Sequence, residues 1–314
     1  MNVLSLLKYH GLGNDFLVAL DGGALDAGAG EFAACAPMVT DDRQDLSAGD
    51  DHLALLVRAL CDRHAGIGAD GVLIVRPGGA LADVGMELRN SDGGRAETSG
   101  NGLRCFVLAT IEAGLVGGPE VVVETDVGAR RASLRHREGP SSADVSVEMG
   151  RVKVARSDPV ADVALPGSRA LPWPAWAVDV GNPHFVLLAP SLEGIALAAI
   201  GPTLERRRPG GQNVEFATYE PVKGELFLSV WERGAGITLA CGSGSVAAAA
   251  AFHSAGISPA KVLVHNPGGT AEVSLSGDDP VTFSAELAGP VHRVARFEVD
   301  VAALSQSTRG VSRS

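Results

Sequence analysis

Apolar positions along this chain switch repeatedly between a period of two and a period near 3.6. Residues 3–20 alternate closely enough to predict a strand, broken at the turn Gly11-Leu12-Gly13-Asn14-Asp15. Short apolar runs predict further strands at 72–75, 85–90, 121–125, 144–149, 176–181, 184–188, 226–232, 261–265, 271–275 and 281–287. Helical spacing is rarer. Leu53–Cys61 is a short apolar helix candidate, followed by the Gly-punctuated turn Asp62–Gly71. Leu103, Phe106, Val107, Thr110 and Ile111 share one helix face, with Gly114 as the expected stop. From Gly242 to about His253 the chain is almost all Ala, and a helix without a polar face is expected to be buried in its domain. Residues 21–51, rich in Gly, Ala and Asp, read as a long surface insertion, and residues 303–314 as a disordered tail.

The two strongest helix signals open in the same way. Glu97-Thr98-Ser99-Gly100-Asn101-Gly102 precedes the first and Leu239-Ala240-Cys241-Gly242-Ser243-Gly244 the second. Each sets one small nucleophilic residue before a G-x-G turn, late in a strand-rich half of the chain. This spacing predicts a degenerate internal duplication, two α+β domains with a site in the cleft between them.

Composition narrows the partners. A formal net charge of −11 argues against nucleic acid or an anionic membrane as the main partner, so an anionic ligand must be captured by local groups. No run of 18 apolar residues suggests a membrane span. The only cation near the N-terminal apolar run follows it, the reverse of a signal peptide, and the expected location is cytoplasmic. Four cysteines in 314 residues do not resemble a disulfide framework, and their spacing does not suit zinc. Cys35, Cys61 and Cys105 read as buried or incidental thiols. Self-association as a homodimer is left open.

The chemistry follows from the paired turns. A helix N-terminus exposes unpaired N–H groups and partial positive charge, and glycines let an anion approach the backbone. Two such termini facing one carboxylate would stabilise the charge that develops when an adjacent α-proton leaves. Two proton-transfer groups on opposite faces of that carbon could then invert it. Cys241, at a helix N-terminus, is expected to be partly thiolate near neutrality. No metal, nucleotide or Schiff-base motif appears, so no cofactor is expected.

Six ordered motifs resemble the diaminopimelate epimerase family. They are Lys8–Phe16, Cys61–Gly71, Arg89–Arg104, Val180–His184, Asn213–Phe216 and Trp231–Gly244. The resemblance implies an α+β fold of two pseudo-symmetric domains, each a mostly antiparallel sheet around a central helix. It places the first domain at 1–143 plus 288–314 and the second at 144–287. It implies cofactor-independent, two-base epimerisation of LL- to meso-diaminopimelate, a small amino-acid substrate used for lysine and peptidoglycan. Gly100, Asn101, Gly242 and Ser243 would hold the reacting carboxylate. Asn14, Asn90, Asn182, Asn213, Glu232 and Arg233 would bind the distal amino-acid head, and His184 and Glu232 would tune the acid/base groups.

Two positions depart from the family pattern. Ser99 stands where the resemblance puts the first catalytic cysteine, beside Cys241 as the surviving strong acid/base. An engineered replacement, a natural variant with one weak base, and different chemistry are all open. Gly71 stands where some members carry a side chain that can reach the ligand. A related racemase, a hydroxyproline-type dehydratase and a weakly active diaminopimelate-binding paralogue are the alternatives.

Overall fold

A computed structural model describes residues 3–35, 48–96, 99–160 and 173–308. The first half runs β1 (Val3–Gly11), β2 (Asn14–Ala19), α1 (Gly22–Cys35), α2 (Ala48–Cys61), β3 (Gly71–Arg76), β4 (Val84–Asn90), α3 (Gly100–Glu112), β5 (Glu120–Thr125), β6 (Gly128–Gly139) and β7 (Ser142–Val160). The second runs β8 (Trp173–Asp179), β9 (Pro183–Leu188), α4 (Leu197–Glu205), β10 (Asn213–Glu220), β11 (Glu225–Glu232), β12 (Gly236–Ile237), α5 (Gly242–Ser254), β13 (Lys261–Asn266), β14 (Gly269–Asp279) and β15 (Thr282–Asp300), and α6 (Val301–Thr308) follows.

Strand pairing closes two rings. One runs β1-β2-β3-β4-β5-β6-β7-β15 and the other β7-β8-β9-β10-β11-β13-β14-β15, with β7 and β15 common to both. The sense of pairing repeats as well. β2–β3 and β4–β5 are parallel in the first ring, and β9–β10 and β11–β13 are parallel at the corresponding places in the second. The expected internal duplication is therefore visible in topology. β7 pairs with β6 over its first residues and with β8 over its last, passing from one ring to the other in its middle.

α3 threads the first ring and α5 the second. Every residue of α3 from Gly100 to Thr110 is buried, as is every residue of α5 from Gly242 to Phe252. The alanines of α5 suit this setting, since they present no polar face that would need water. α3 differs from its amphipathic reading in being enclosed on all sides, Arg104 included.

Part of each ring's outer face is covered too. Leu4, Leu6, Leu17, Val72 and Ile74 turn outward onto Leu25 of α1, Leu56 and Leu60 of α2, and Leu304 of α6. Their alternates Leu7, Tyr9, Phe16, Val18 and Leu73 fill the barrel, so β1–β3 are apolar on both faces. α4 covers β9 and β10 in the second half through Leu197, Ile200 and Leu204. These helices correct two expectations. Residues 22–35 and 48–51 are helical rather than an irregular insertion, and residues 301–308 form a docked helix rather than a loose tail. α1 hid because its Gly and Ala positions carry almost no periodic signal. Residues 36–47 and 309–314, which belonged to the same expectations, lie outside the described residues.

Candidate active site

The two G-x-G segments meet tip to tip. Ser99 caps α3 with φ −144° and ψ 118°, and its Oγ accepts from Gly102 N at 3.0 Å. Cys241 caps α5 with φ −119° and ψ 115°, and its Sγ accepts from Gly244 N at 3.3 Å. Glu97 and Thr98 of the first segment lie outside the described residues.

The glycines are required by closeness. A Cβ on Gly242 would lie 3.1 Å from Gly100 Cα and 2.9 Å from Leu287 Cδ2, and a Cβ on Gly100 would lie 2.6 Å from the same Leu287 atom. Leu287, on shared strand β15, thus plugs the floor beneath both helix tips. Gly242→Ala should push the tips apart, weaken substrate binding and destabilise the fold by about 1–3 kcal/mol. Parallel KM and thermal-unfolding measurements check this, and an unchanged KM would contradict it.

A cleft of about 880 Å3 opens over the tips. Ser99, Gly100, Cys241, Gly242 and Ser243 line it, together with Asn14, Asn90, Asn182, Asn213, Glu232 and Arg233. Two of the residues singled out from sequence stand behind its wall. His184 is buried, with Nδ1 2.7 Å from Glu215 Oε1 and Nε2 3.0 Å from Asn182 Oδ1. Asn101 is buried too, its Nδ2 donating to Ala240 O at 3.2 Å, one residue before Cys241. Asn213 accepts from Arg233 N at 2.9 Å, which fixes the backbone that carries the arginine. Gly71 has no room for a side chain, since a Cβ would lie 2.5 Å from Arg89 O.

Electrostatics separate the two caps. Burial pushes the Cys241 thiol well above its ordinary value, and the negative charges of Glu232 and Glu215 push it further. The Ser243 hydroxyl, 3.5 Å from Sγ, and the Gly244 N–H pull the other way and lose. The sequence expectation of a resting thiolate is therefore corrected: desolvation and two carboxylates outweigh one helix tip. Burial also raises the Glu232 carboxyl, which accepts from Thr238 Oγ1 and is held down in part by its nearness to the Cys241 thiol. Ser99 has Gly102 N as its hydrogen-bond partner, with no carboxylate or imidazole bonded to it among the described residues.

Sequence reasoning missed Glu215, which is wholly buried and has no hydrogen-bond partner for Oε2 among the described residues. The signal was present, since residues two apart on a strand share a face and Asn213 had already been singled out. It also missed the rim, where Lys8, Arg63, Asp15 and Asp70 form linked ion pairs.

The other described thiols have a different consequence. Burial raises Cys61 and Cys105 to about 12 each. A group with a raised folded-state value holds its proton while the unfolded chain loses it, so stability is complete below about pH 9 and falls as pH rises toward 12. The expected loss is about 1.4 kcal/mol per pH unit for each thiol. Denaturant midpoints taken from about pH 8 to 11 measure it, and a flat profile above pH 9 would contradict it.

Comparisons with known proteins point one way. A family model described as diaminopimelate epimerase matches residues 35–155 and 176–294. A diaminopimelate epimerase of Moorella thermoacetica is 35% identical over 302 residues, covering 93% of this chain and 98% of that protein. One of Burkholderia ambifaria is 35% identical over 315 residues, covering 96% and 99%. Among solved structures, a hydroxyproline epimerase from Agrobacterium vitis with bound trans-4-OH-L-proline has a TM-score of 0.69 at 19% identity. The alignment covers 95% of this chain and 92% of that one, a likeness of fold.

Proposed function

Because this chain belongs to the diaminopimelate epimerase family, and so is an isomerase acting on a small molecule, we propose that it interconverts LL- and meso-diaminopimelate without a cofactor. The observation that carries this reading is the meeting of two glycine-opened helix tips, capped by Ser99 and Cys241, at the floor of one cleft.

In the proposed reaction the N–H groups of Gly100, Asn101, Gly242 and Ser243 grip the reacting carboxylate. Removal of the α-proton leaves an electron pair that delocalises into that carboxylate, where both helix tips stabilise it. Cys241 and Ser99 exchange protons with the α-carbon from opposite faces. In the free enzyme Cys241 is a thiol. A substrate ammonium brings positive charge toward Glu215 and Glu232, which favours the thiolate, with Glu232 placed to accept the thiol proton. The base is thereby armed by its own ligand. Arg233, Asn90, Asn182 and Asn213 read the distal amino-acid head.

Incubating LL-diaminopimelate with the protein in deuterated water tests the reading. Meso product carrying one deuterium at the inverted carbon is expected. Lysine, which lacks the distal carboxylate, should bind more weakly by about 2–5 kcal/mol, because Arg233 then loses its charged partner. Equal affinity for the two in calorimetry would refute the substrate and leave a more general racemase.

A further inference from the structure

We propose that Arg104 and Asp70 are the opposite poles of one hydrogen-bonded chain that fixes the amides of Asn101 and Asn14, turning the Asn14 oxygen toward the ammonium group beside the reacting carboxylate rather than toward the distal head that the resemblance implies. The ligand part of this inference rests on the diaminopimelate reading. The chain itself rests on geometry.

Arg104 Nη2 donates to Asn101 Oδ1 at 2.6 Å. Asn101 Nδ2 donates to Asn14 Oδ1 at 3.4 Å, while also holding Ala240 O. Asn14 Nδ2 donates to Asp70 Oδ2 at 2.6 Å. An amide has nearly the same shape when its oxygen and nitrogen are exchanged, so its surroundings must choose. Here they choose completely. A guanidinium only donates and a carboxylate only accepts, and flipping either amide would set donor against donor or acceptor against acceptor. Chains of this kind also polarise each link in turn.

Both poles are held in place. Arg104 is fully buried on α3, and its Nη1 donates to Pro290 O at 3.3 Å. Gly11 and Gly289 make room for it, since a Cβ on either would lie 3.3 Å from Nη2 or 2.8 Å from Nη1. Among the described residues no carboxylate pairs with it and its Nε has no hydrogen-bond partner. Asp70 is anchored by Arg63 at 2.7 Å and by the Asp15 N–H at 3.1 Å. Between them, Asn14 lines the cleft and Asn101 is the second residue of the helix tip. With Nδ2 committed to Asp70, Asn14 offers the cleft an acceptor. That suits an ammonium and would repel a second carboxylate. Arg104 and Asp70 touch no substrate in this scheme and are positioning residues.

The test compares two ligands by calorimetry. L-2-aminopimelate can seat its amino-acid head distally and present a bare carboxylate at the reacting end. The wild type should bind LL-diaminopimelate at least about tenfold more tightly than this analogue, as a hydrogen bond to a charged group allows. Asp70→Asn, at a partly exposed site, should bring that ratio close to one by weakening diaminopimelate while leaving the analogue within about twofold. An unchanged ratio, or equal weakening of both ligands, would overturn the proposal. Slow solvent exchange of the Asn14 and Asn101 side-chain amide protons in the wild type, faster at Asn14 in Asp70→Asn, is the ligand-free reading of the same chain. Fast exchange at both in the wild type would overturn it. Failure of the wild type to bind either ligand would refute the substrate reading alone, with the exchange measurement still deciding the chain.

Discussion

Replacing Cys241 with serine should lower α-proton exchange by about 10³-fold, within the range a positioned acid or base contributes. Serine is the informative choice because it keeps an acceptor for Gly244 N, so the α5 cap survives and the loss reports chemistry. Cys241→Ala removes both functions. It should lose the same activity and, in addition, about 1 kcal/mol of stability from the missing cap. Exchange of label from deuterated water measures the first effect and thermal unfolding the second. If Cys241→Ser kept exchange within tenfold of the wild type, Cys241 would not be the principal base.

The converse change should produce a gain. Ser99→Cys is expected to raise inversion by about 10²-fold, with the effect in kcat and little change in KM. A serine hydroxyl needs a neighbouring base to act as one, and among the described residues Ser99 has only the Gly102 N–H bonded to it, whereas Cys241 has Glu232 beside it. The two caps share an extended backbone and the same capping bond, so the fold already accepts sulfur in this geometry. In the wild type, exchange through Cys241 should outrun inversion. A wild type that inverts briskly and gains nothing from Ser99→Cys would mark serine as the intended residue.

Much of this site could be read before any coordinates, and the reasons differ by residue. The paired G-x-G turns were legible because an anion-binding helix tip needs specific small residues at fixed spacing. The Ala-rich run of α5 was legible as buried because it has nothing to offer water. The state of Cys241 was misread because a local rule, the helix tip, was applied without the tertiary terms of burial and the charges of Glu215 and Glu232. The enclosure of Arg104 was not legible, because helical spacing marked only the apolar face of α3 and only closure of the ring around it buries the arginine. α1, α4 and α6 were lost for a related reason. Each needs only a few apolar contacts on a surface that the barrel supplies, and local sequence does not announce that surface.

The strands common to both rings have a mechanical consequence. Neither half can complete its wall alone: the first lacks β15 and the second lacks β7, so each borrows a stave from the other. A chain severed between Val160 and Trp173 would yield two unclosed fragments that become whole only by clasping each other. The cleft lies between halves joined by these common beams, so any change in its width must be taken up by bending of β7 and β15.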